Sequence, residues 1–216
     1  MYVPSTFREE RIEVLHGLMT SHPLGALVHQ GADGLCADHL PFDLIAPTPE
    51  APFGTLRAHV ARANPLWRAG AGQPVLAIFQ GPHAYITPSW YEEKQRSGKE
   101  VPTFNYAVVH AHGTLRTIED ADWLLATLNR LTDRHEAVQA SPWQVSDAPA
   151  DYIGKLLKAI VGIEIVITRL EGKWKLGQNH SLTDQATMAG ALGASGMPGP
   201  AQALGALIGA RLRPED

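Results

Sequence analysis

Three short segments of the sequence concentrate side chains that could hold a ligand. The first contains His59, Arg62 and Asn64, followed by Pro65, where a strand-like run gives way to a helix start. A guanidinium, an imidazole and an amide beside the free N–H groups of a helix start suit an anion such as a phosphate. The same residues also fit a surface arginine beside an ordinary Asn-Pro cap, and the sequence alone leaves both interpretations open.

The second segment combines aromatic rings with a cation. Trp90, Tyr91 and Lys94 follow a tight Gly81–Pro82 step by a few residues. Flat rings next to an ammonium group suit stacking against an aromatic ligand. The alternative is that these rings close one end of the hydrophobic core.

The third segment brings amide and ammonium donors together. Lys175, Gln178 and Asn179 lie within five residues of one another, after an alternating strand. Amides can pair with the donor and acceptor atoms at the edge of a heterocycle. A solvated terminal strand would contain the same residues, so this interpretation also has an alternative.

Catalytic and metal-binding residues cannot be assigned from the pattern. Cys36 lies in an apolar strand-like run typical of a core residue, and Ser89 has no glycine elbow around it. His110 and His112 share one face of a strand, but no third ligand follows at short spacing. We therefore expect no protein-ligated metal, and the catalytic residues stay unknown.

Composition limits the classes of partner. The 216 residues carry 18 basic and 22 acidic side chains, a net charge of −4, so no strong positive field exists to hold nucleic acid. The single cysteine excludes an intramolecular disulfide and fits a reducing cytoplasm. No apolar run of ~18 residues is present, so we expect no membrane span.

Short strands mixed with helices must position these segments. The order lacks a repeating βαβ pattern and a GxGxxG after a strand, which favours an α+β fold with a small antiparallel barrel and peripheral helices. The composition changes to alanine and glycine late in the chain, which predicts a main domain over residues 1–182 and a helical tail over 183–216. Helices are predicted over 7–20, 119–137 and 151–160. Strands are predicted over 24–30, 35–42, 54–60, 74–80, 83–87, 104–116 and 163–170. The first two strands flank a four-residue turn at 31–34, which predicts a hairpin, and a turn is predicted at Glu171 and Gly172 after the last strand. Residues 88–103 are predicted to form a loop or short helix.

Several blocks of residues resemble the PaiB family, the FMN-binding negative transcriptional regulators. They run in order from Met1 to about Asn179. The matching blocks are MYVP at 1–4 with Phe7, HLPF at 39–42, HVARANP at 59–65, FQGPHAY at 79–85, PSWY at 88–91, VPTFNY at 101–106, IVG at 160–162, GKWKL at 172–176 and QN at 178–179. Phe104 and Gly177 depart from the expected pattern of the family, where a tryptophan and a serine are usual.

The resemblance implies a fold, a cofactor and a partner. It implies an antiparallel split β-barrel related to pyridoxine phosphate oxidases, with residues 1–182 as the FMN-binding domain. It also implies a homodimer that binds FMN at the subunit interface. The resemblance places the flavin phosphate near His59, Arg62 and Asn64, the flavin ring near Asn105 and Tyr106, a lid or interface segment at Trp90, Tyr91 and Lys94, and a contribution of the partner subunit at Lys175, Gln178 and Asn179.

Three functions are compatible with this resemblance. The first is a flavin-binding transcriptional regulator or sensor, although the sequence shows no helix-turn-helix and no basic stripe for direct DNA contact. The second is an FMN-dependent oxidoreductase or flavin reductase, since bound flavin can exchange hydride or electrons. The third is a haem-binding or haem-degrading split barrel, for which His110 or His180 would be the candidate ligand.

Overall fold

The computed structural model describes residues 1–194 and 196–213, which form strands and helices in mixed order. The strands are β1 (Arg8–Glu9), β2 (Leu24–Gly31), β3 (Gly34–Pro41), β4 (Asp43–Ile45), β5 (Thr55–Ala61), β6 (Pro74–Ile86), β7 (Thr103–Ile118) and β8 (Ile160–Lys175). The helices are α1 (Ile12–Ser21), α2 (Leu66–Ala69), α3 (Glu92–Ser97), α4 (Ala121–Glu136), α5 (Ala150–Lys158), α6 (Leu182–Leu192) and α7 (Gly199–Arg211).

The strands form one sheet whose order differs from the chain order. Neighbouring strands follow β3-β2-β6-β7-β8-β5-β4, and β1 pairs with the end of β8. The predicted hairpin is confirmed, with β2 and β3 antiparallel from Leu24 opposite Pro41 to Gly31 opposite Gly34. β5 is antiparallel to β8, which places His59 opposite Gly162.

The chain divides into two compact units. The first unit contains residues 1–15, 80–109 and those from 171 onward, and the second contains 16–79 and 110–170. The core of the second unit is aliphatic and aromatic, built around Leu27, Leu56, Phe79 and Ile163. Neither unit matches the predicted boundary at residue 182, which stays a prediction. Residues 195 and 214–216 of the predicted tail lie outside the described residues.

The tail helices of the first unit pack closely against each other because small residues line their contact. A Cβ added to Gly205 of α7 would lie 2.9 Å from the Cβ of Leu192 in α6. Leu192, Leu204 and Ile208 are almost fully buried. The predicted helices of the tail are therefore confirmed, and they bury apolar side chains despite their small residues.

The first helix begins later than the sequence predicts. Arg8 and Glu9 pair with Lys173 and Gly172 of β8, so these two residues are extended and α1 starts at Ile12. The predicted turn at Glu171 and Gly172 is likewise wrong, because both residues continue β8. A Cβ on Gly172 would lie 2.3 Å from Leu15 Cδ2, so this glycine permits close packing inside the strand.

One strand is longer than predicted. β6 runs without interruption through Gly81 and Pro82, where the sequence suggested a break. The segment between β6 and β7 contains α3, so of the predicted loop or short helix the short helix is present.

Within the described part of the chain, no helix is both long enough and apolar enough to cross a membrane.

Candidate functional site

His59 lies on the face of β5 that does not enter the core of the second unit. Leu56, Ala58 and Val60 alternate with it and are buried, whereas Arg57 and His59 are half-buried. Burial lowers the pKa of His59 below its usual value, because desolvation penalises the charged imidazolium. The imidazole is therefore neutral at neutral pH and can both donate and accept a hydrogen bond.

A helix covers part of this face. Trp123 of α4 lies 5.1 Å from the Arg57 guanidinium, and Arg57 Nε donates to Glu164 Oε2 at 3.1 Å. Gly162, opposite His59, leaves the space that the indole needs, since a Cβ there would lie 2.4 Å from Trp123. The strand pairing and the glycine together fix the surroundings of His59.

Arg62 is anchored by the backbone as well as by a carboxylate. Its Nε donates to the Lys158 carbonyl at 2.8 Å and its Nη2 to the Ile160 carbonyl at 3.2 Å. Its Nη1 donates to Glu119 Oε2 at 2.5 Å. A guanidinium has five N–H donors, so two remain for a ligand.

Asn64 begins α2 through its side chain. Its Oδ1 accepts a hydrogen bond from the Leu66 N–H at 2.8 Å, which confirms the predicted cap. Its Nδ2 donates to Asp38 Oδ1 at 2.7 Å. We call His59, Arg62 and Asn64 the β5–α2 junction.

An aromatic ring beside two cations flanks the junction. Trp67 Nε1 donates to the Arg62 carbonyl at 2.9 Å. The Arg62 and Arg68 guanidinium carbons lie 5.7 and 4.1 Å from the Trp67 ring centroid. Cations beside an aromatic face are held in position without losing their charge, so Arg68 is a further donor for an anion.

Two residues of the predicted flavin site, Tyr91 of the lid or interface segment and Asn105 near the ring, are buried inside the first unit. Tyr91 and Asn105 are each 1% exposed. The Tyr91 hydroxyl and the Asn105 amide both donate to Met188 Sδ, at 3.8 and 3.4 Å. The Tyr91 ring stacks on His180 with centroids 4.4 Å apart, and burial is the main cause that raises the pKa of Tyr91 to about 12.

The segment with Trp90 and Lys94 is held by one buried carboxylate. Asp184 Oδ1 accepts hydrogen bonds from the N–H groups of Glu92 and Glu93, at 2.7 and 3.4 Å. The Trp90 carbonyl accepts from the Thr187 hydroxyl at 2.8 Å. Trp90 is half-buried and Lys94 is exposed, so Lys94 is open to a ligand or a partner.

Tyr106 and two lysines form an outward face of the first unit. Lys173 Nζ lies 5.3 Å from the Tyr106 ring centroid and 5.8 Å from that of Tyr2. Lys175 Nζ donates to Thr103 Oγ1, and to the Phe104 carbonyl at 2.9 Å. Desolvation lowers the pKa of Lys175, whose ammonium donates these two hydrogen bonds. We call Tyr106, Lys173 and Lys175 the β7–β8 face.

Gln178 and Asn179 follow this face in a turn. Gln178 Oε1 accepts from the Leu176 N–H at 2.8 Å, and its Nε2 donates to the Trp174 carbonyl, so its amide shapes the turn. Gly177 precedes it with a φ of 86°, a conformation that favours glycine. Asn179 is exposed and remains available to a partner or ligand.

The two histidines on one face of β7 are near neighbours. His110 and His112 of β7 have ring centroids 6.4 Å apart. His112 Nδ1 also lies 3.2 Å from Arg169 Nη2. The expectation of no protein-ligated metal stays a prediction.

A groove of about 690 Å³ lies elsewhere in the second unit, between α4 and α5. Its walls are mainly apolar and include Leu125, Val145, Ile153 and Leu157. None of the residues predicted to bind flavin lines it. A nucleotide needs cationic or amide donors for its phosphate, so the β5–α2 junction fits it better than this groove.

Sequence reasoning missed part of the polar chemistry. Asp38, Trp67 and Arg68 contact or flank the β5–α2 junction, and Lys173 belongs to the β7–β8 face. Asp38 is far from Asn64 in the sequence, so no local spacing could reveal their hydrogen bond. Lys173 shares a strand face with Lys175, and this two-residue spacing could have identified it.

Comparison with known proteins identifies relatives of the chain. A family model described as "Putative FMN-binding domain" matches residues 1–169. The protease synthase and sporulation protein PAI 2 of Bacillus subtilis (strain 168) is 31% identical over 185 residues, which cover 85% of each protein. An uncharacterised protein of Emericella nidulans is 36% identical over 219 residues, covering 86% of this chain and 87% of that protein.

A solved structure confirms the architecture. The FAD and heme binding protein of Mycobacterium smegmatis has a TM-score of 0.59 to this chain at 18% sequence identity. The likeness covers 79% of this chain and 74% of that protein. It shows the fold, so the predicted α+β architecture with an antiparallel split barrel and peripheral helices is confirmed.

Proposed function

The chain belongs to the PaiB family of FMN-binding domains, and from this premise we propose that it acts as a homodimeric flavin sensor that represses transcription. The observation that supports it is the family match over residues 1–169, which includes the HVARANP block of the β5–α2 junction. A relative whose name refers to protease synthesis and sporulation favours a regulatory function. The proposal includes a cytoplasmic location, which fits the single cysteine of the chain.

The donors of the β5–α2 junction fit the phosphate of FMN. Arg62 keeps two N–H donors beyond its three partners, and Arg68 adds a second guanidinium beside Trp67. His59 is held neutral by burial, so its N–H can donate to a phosphate oxygen without a change in charge. Two arginines and neutral donors are the groups that recognise a phosphate monoester.

The β7–β8 face fits a redox-active aromatic ring. Tyr106 offers a flat surface, and the Lys173 ammonium lies 5.3 Å from it. Bound FMN supplies the exchange of electrons or hydride, and a cation near the ring favours its reduced, anionic form. In the proposed dimer, Lys175, Gln178 and Asn179 belong to the interface, and Trp90 and Lys94 to the segment that borders it.

The first experiment measures flavin binding and subunit number. We expect the purified protein to show the visible absorbance of flavin after addition of FMN, and the mass of a dimer in solution. Arg62→Ala should raise the Kd for FMN by about tenfold or more, because a charged hydrogen bond to the phosphate is lost. Arg96→Ala is the matched control, since Arg96 is exposed and its ion pair is with Glu93 on its own helix. A colourless monomer that ignores added FMN would refute the proposal.

If the protein is a flavin sensor, the redox state of its flavin must change how strongly it represses transcription. We expect a promoter reporter to be repressed by the oxidised or the reduced protein, but not equally by both. The net charge of −4 does not favour broad DNA contact, so any promoter shift by the pure protein should be sequence-selective. Equal repression by the unmodified protein and by a variant that cannot bind FMN would contradict the sensor function.

The second candidate function is an FMN-dependent oxidoreductase. Lys173 beside Tyr106 favours this function. A cation next to a bound flavin ring would also stabilise the reduced flavin that forms in each catalytic cycle. Rapid reduction of the bound flavin by NADH or NADPH, with multiple turnovers on an added acceptor, would support this function. Flavin that binds but is not reduced by either nucleotide would favour the sensor.

A further inference from the structure

A chain of polar side chains connects the hairpin of β2 and β3 with the β5–α2 junction. Its first member, His29, is a histidine on the core-facing side of β2 and is 5% exposed. Its Nε2 lies 3.0 Å from Asp38 Oδ2. Its Nδ1 is buried and has no hydrogen-bond partner among the described residues. Because Nε2 faces the carboxylate and Nδ1 faces no acceptor in the described chain, the Nε2–H donates to Asp38 Oδ2.

The second member, Asp38, uses both of its oxygens. Oδ2 accepts a hydrogen bond from His29 Nε2 at 3.0 Å, and Oδ1 accepts one from Asn64 Nδ2 at 2.7 Å. Asp38 is opposite Leu27 in the hairpin register, two residues from His29, so the two side chains are diagonal neighbours on one face. The carboxylate is therefore fixed on both sides.

The third member, Asn64, is held in one orientation. Its Oδ1 must accept from the Leu66 N–H, and its Nδ2 must donate to Asp38. A flipped amide would place oxygen against the carboxylate and NH₂ against an N–H donor, which is unfavourable on both sides. One amide N–H remains for a ligand.

We propose that His29 and Asp38 are positioning residues that make the flavin site selective for a phosphorylated flavin by fixing Asn64. This inference rests on the proposed function, in which the β5–α2 junction holds the phosphate. Without Asp38, the Asn64 amide can rotate and present its oxygen, which repels a phosphate. Replacing His29 or Asp38 would therefore weaken the affinity for FMN. It would leave the affinity for riboflavin unchanged, because riboflavin has the same ring but no phosphate.

The experiment compares the affinities of FMN and riboflavin, measured by quenching of flavin fluorescence. Asp38→Asn and His29→Leu should each raise the Kd for FMN by about tenfold. The Kd for riboflavin should change less than about twofold, because no phosphate contact is lost. His29→Gln keeps a donor near the Nε2 position and should return the Kd for FMN to within about threefold of the unmodified protein. Asp33→Asn, in the turn of the same hairpin, is the matched control and should change neither affinity.

A double-variant cycle gives an independent readout. In the Asn64→Ala background, Asp38→Asn should change the Kd for FMN less than about twofold, since its effect passes through the missing amide. Equal losses for FMN and riboflavin, or full additivity with Asn64→Ala, would overturn the inference and leave the proposed function intact. An unmodified protein that does not bind FMN would overturn the proposed function and the inference together. Because Asp38→Asn keeps the shape of the side chain, it remains informative if His29→Leu fails to fold.

Discussion

Replacing Asp184 should loosen the segment between β6 and β7 from the tail helices. This carboxylate is 4% exposed and accepts three hydrogen bonds. The backbone N–H of Asp184 donates a further one to the Ser181 hydroxyl at 3.1 Å. Its Oδ1 faces the N–H groups of Glu92 and Glu93 at the start of α3, and its Oδ2 accepts the Ser181 hydroxyl at 2.8 Å. One side chain therefore connects two helices and caps one of them.

The expected cost follows from these contacts. A hydrogen bond to a charged group contributes about 1.5–3 kcal/mol, and a buried donor left without a partner adds to the loss. We expect Asp184→Ala to lower the free energy of unfolding by about 3 kcal/mol. For a chain of this size, that corresponds to a fall in Tm of roughly 6–12 °C. Asp184→Asn keeps one acceptor oxygen and should lose about half as much.

The pH dependence has a defined sign. Burial by itself would raise the pKa of Asp184, but hydrogen bonds from Ser181 and from the N–H groups of Glu92 and Glu93 outweigh it and hold the pKa below its usual 3.8. The stabilisation should be complete above the unfolded pKa and should disappear as the pH falls through the lower, folded pKa. The difference between the unmodified protein and Asp184→Asn should therefore be constant from about pH 7 to 5 and shrink below about pH 4.

Urea unfolding followed by circular dichroism tests this reasoning at each pH. Asp151→Ala is the matched control, since Asp151 also lies in the first turn of a helix but its side chain is 77% exposed. This control should change the free energy of unfolding by less than about 0.5 kcal/mol. An equal effect of Asp151→Ala and Asp184→Ala would refute the argument from burial and hydrogen bonding.

Two further substitutions and one titration test other parts of the fold. Gly113→Ala places a Cβ 2.4 Å from the Val166 carbonyl and should cost about 2 kcal/mol in urea unfolding, whereas Gly190→Ala enters open space and should be neutral or stabilising. Asp43→Ala leaves two arginines at 2.8 and 2.6 Å without their buried carboxylate, and we expect a loss of about 3 kcal/mol by the same measurement. Tyr91 should ionise near pH 12 in an absorbance titration, and stability should fall above about pH 10 because the unfolded tyrosine ionises first; early ionisation of all five tyrosines would contradict its burial.

Local patterns predicted most of the elements correctly. Short strand-like runs predicted β2, β3 and β5, and the Asn64–Pro65 pair predicted the start of α2. These features depend on residues that are neighbours in the chain, such as the two faces of a strand or a cap and its first turn. The family resemblance then supplied the split barrel and the cofactor, which periodicity alone does not specify.

Errors arose where a distant segment determined the local conformation. Arg8 and Glu9 are extended because β8 supplies hydrogen-bond partners, although their sequence is compatible with a helix. Gly172 suggested a turn, but inside β8 it allows Leu15 to approach. Propensity is a weak signal, and pairing across the sheet outweighs it.

The sequence by itself determined which chemical groups are present: a cationic strand-to-helix junction, aromatic residues beside lysines, and no excess of positive charge. Only the tertiary structure decided which of these groups face outward. Tyr91 and Asn105 have types suited to a flavin ring, yet both are buried against Met188, while Lys173 lies beside Tyr106. Only the tertiary structure likewise shows that Asp38 contacts the junction, because a hydrogen bond between residues 26 positions apart depends on strand register and not on local spacing.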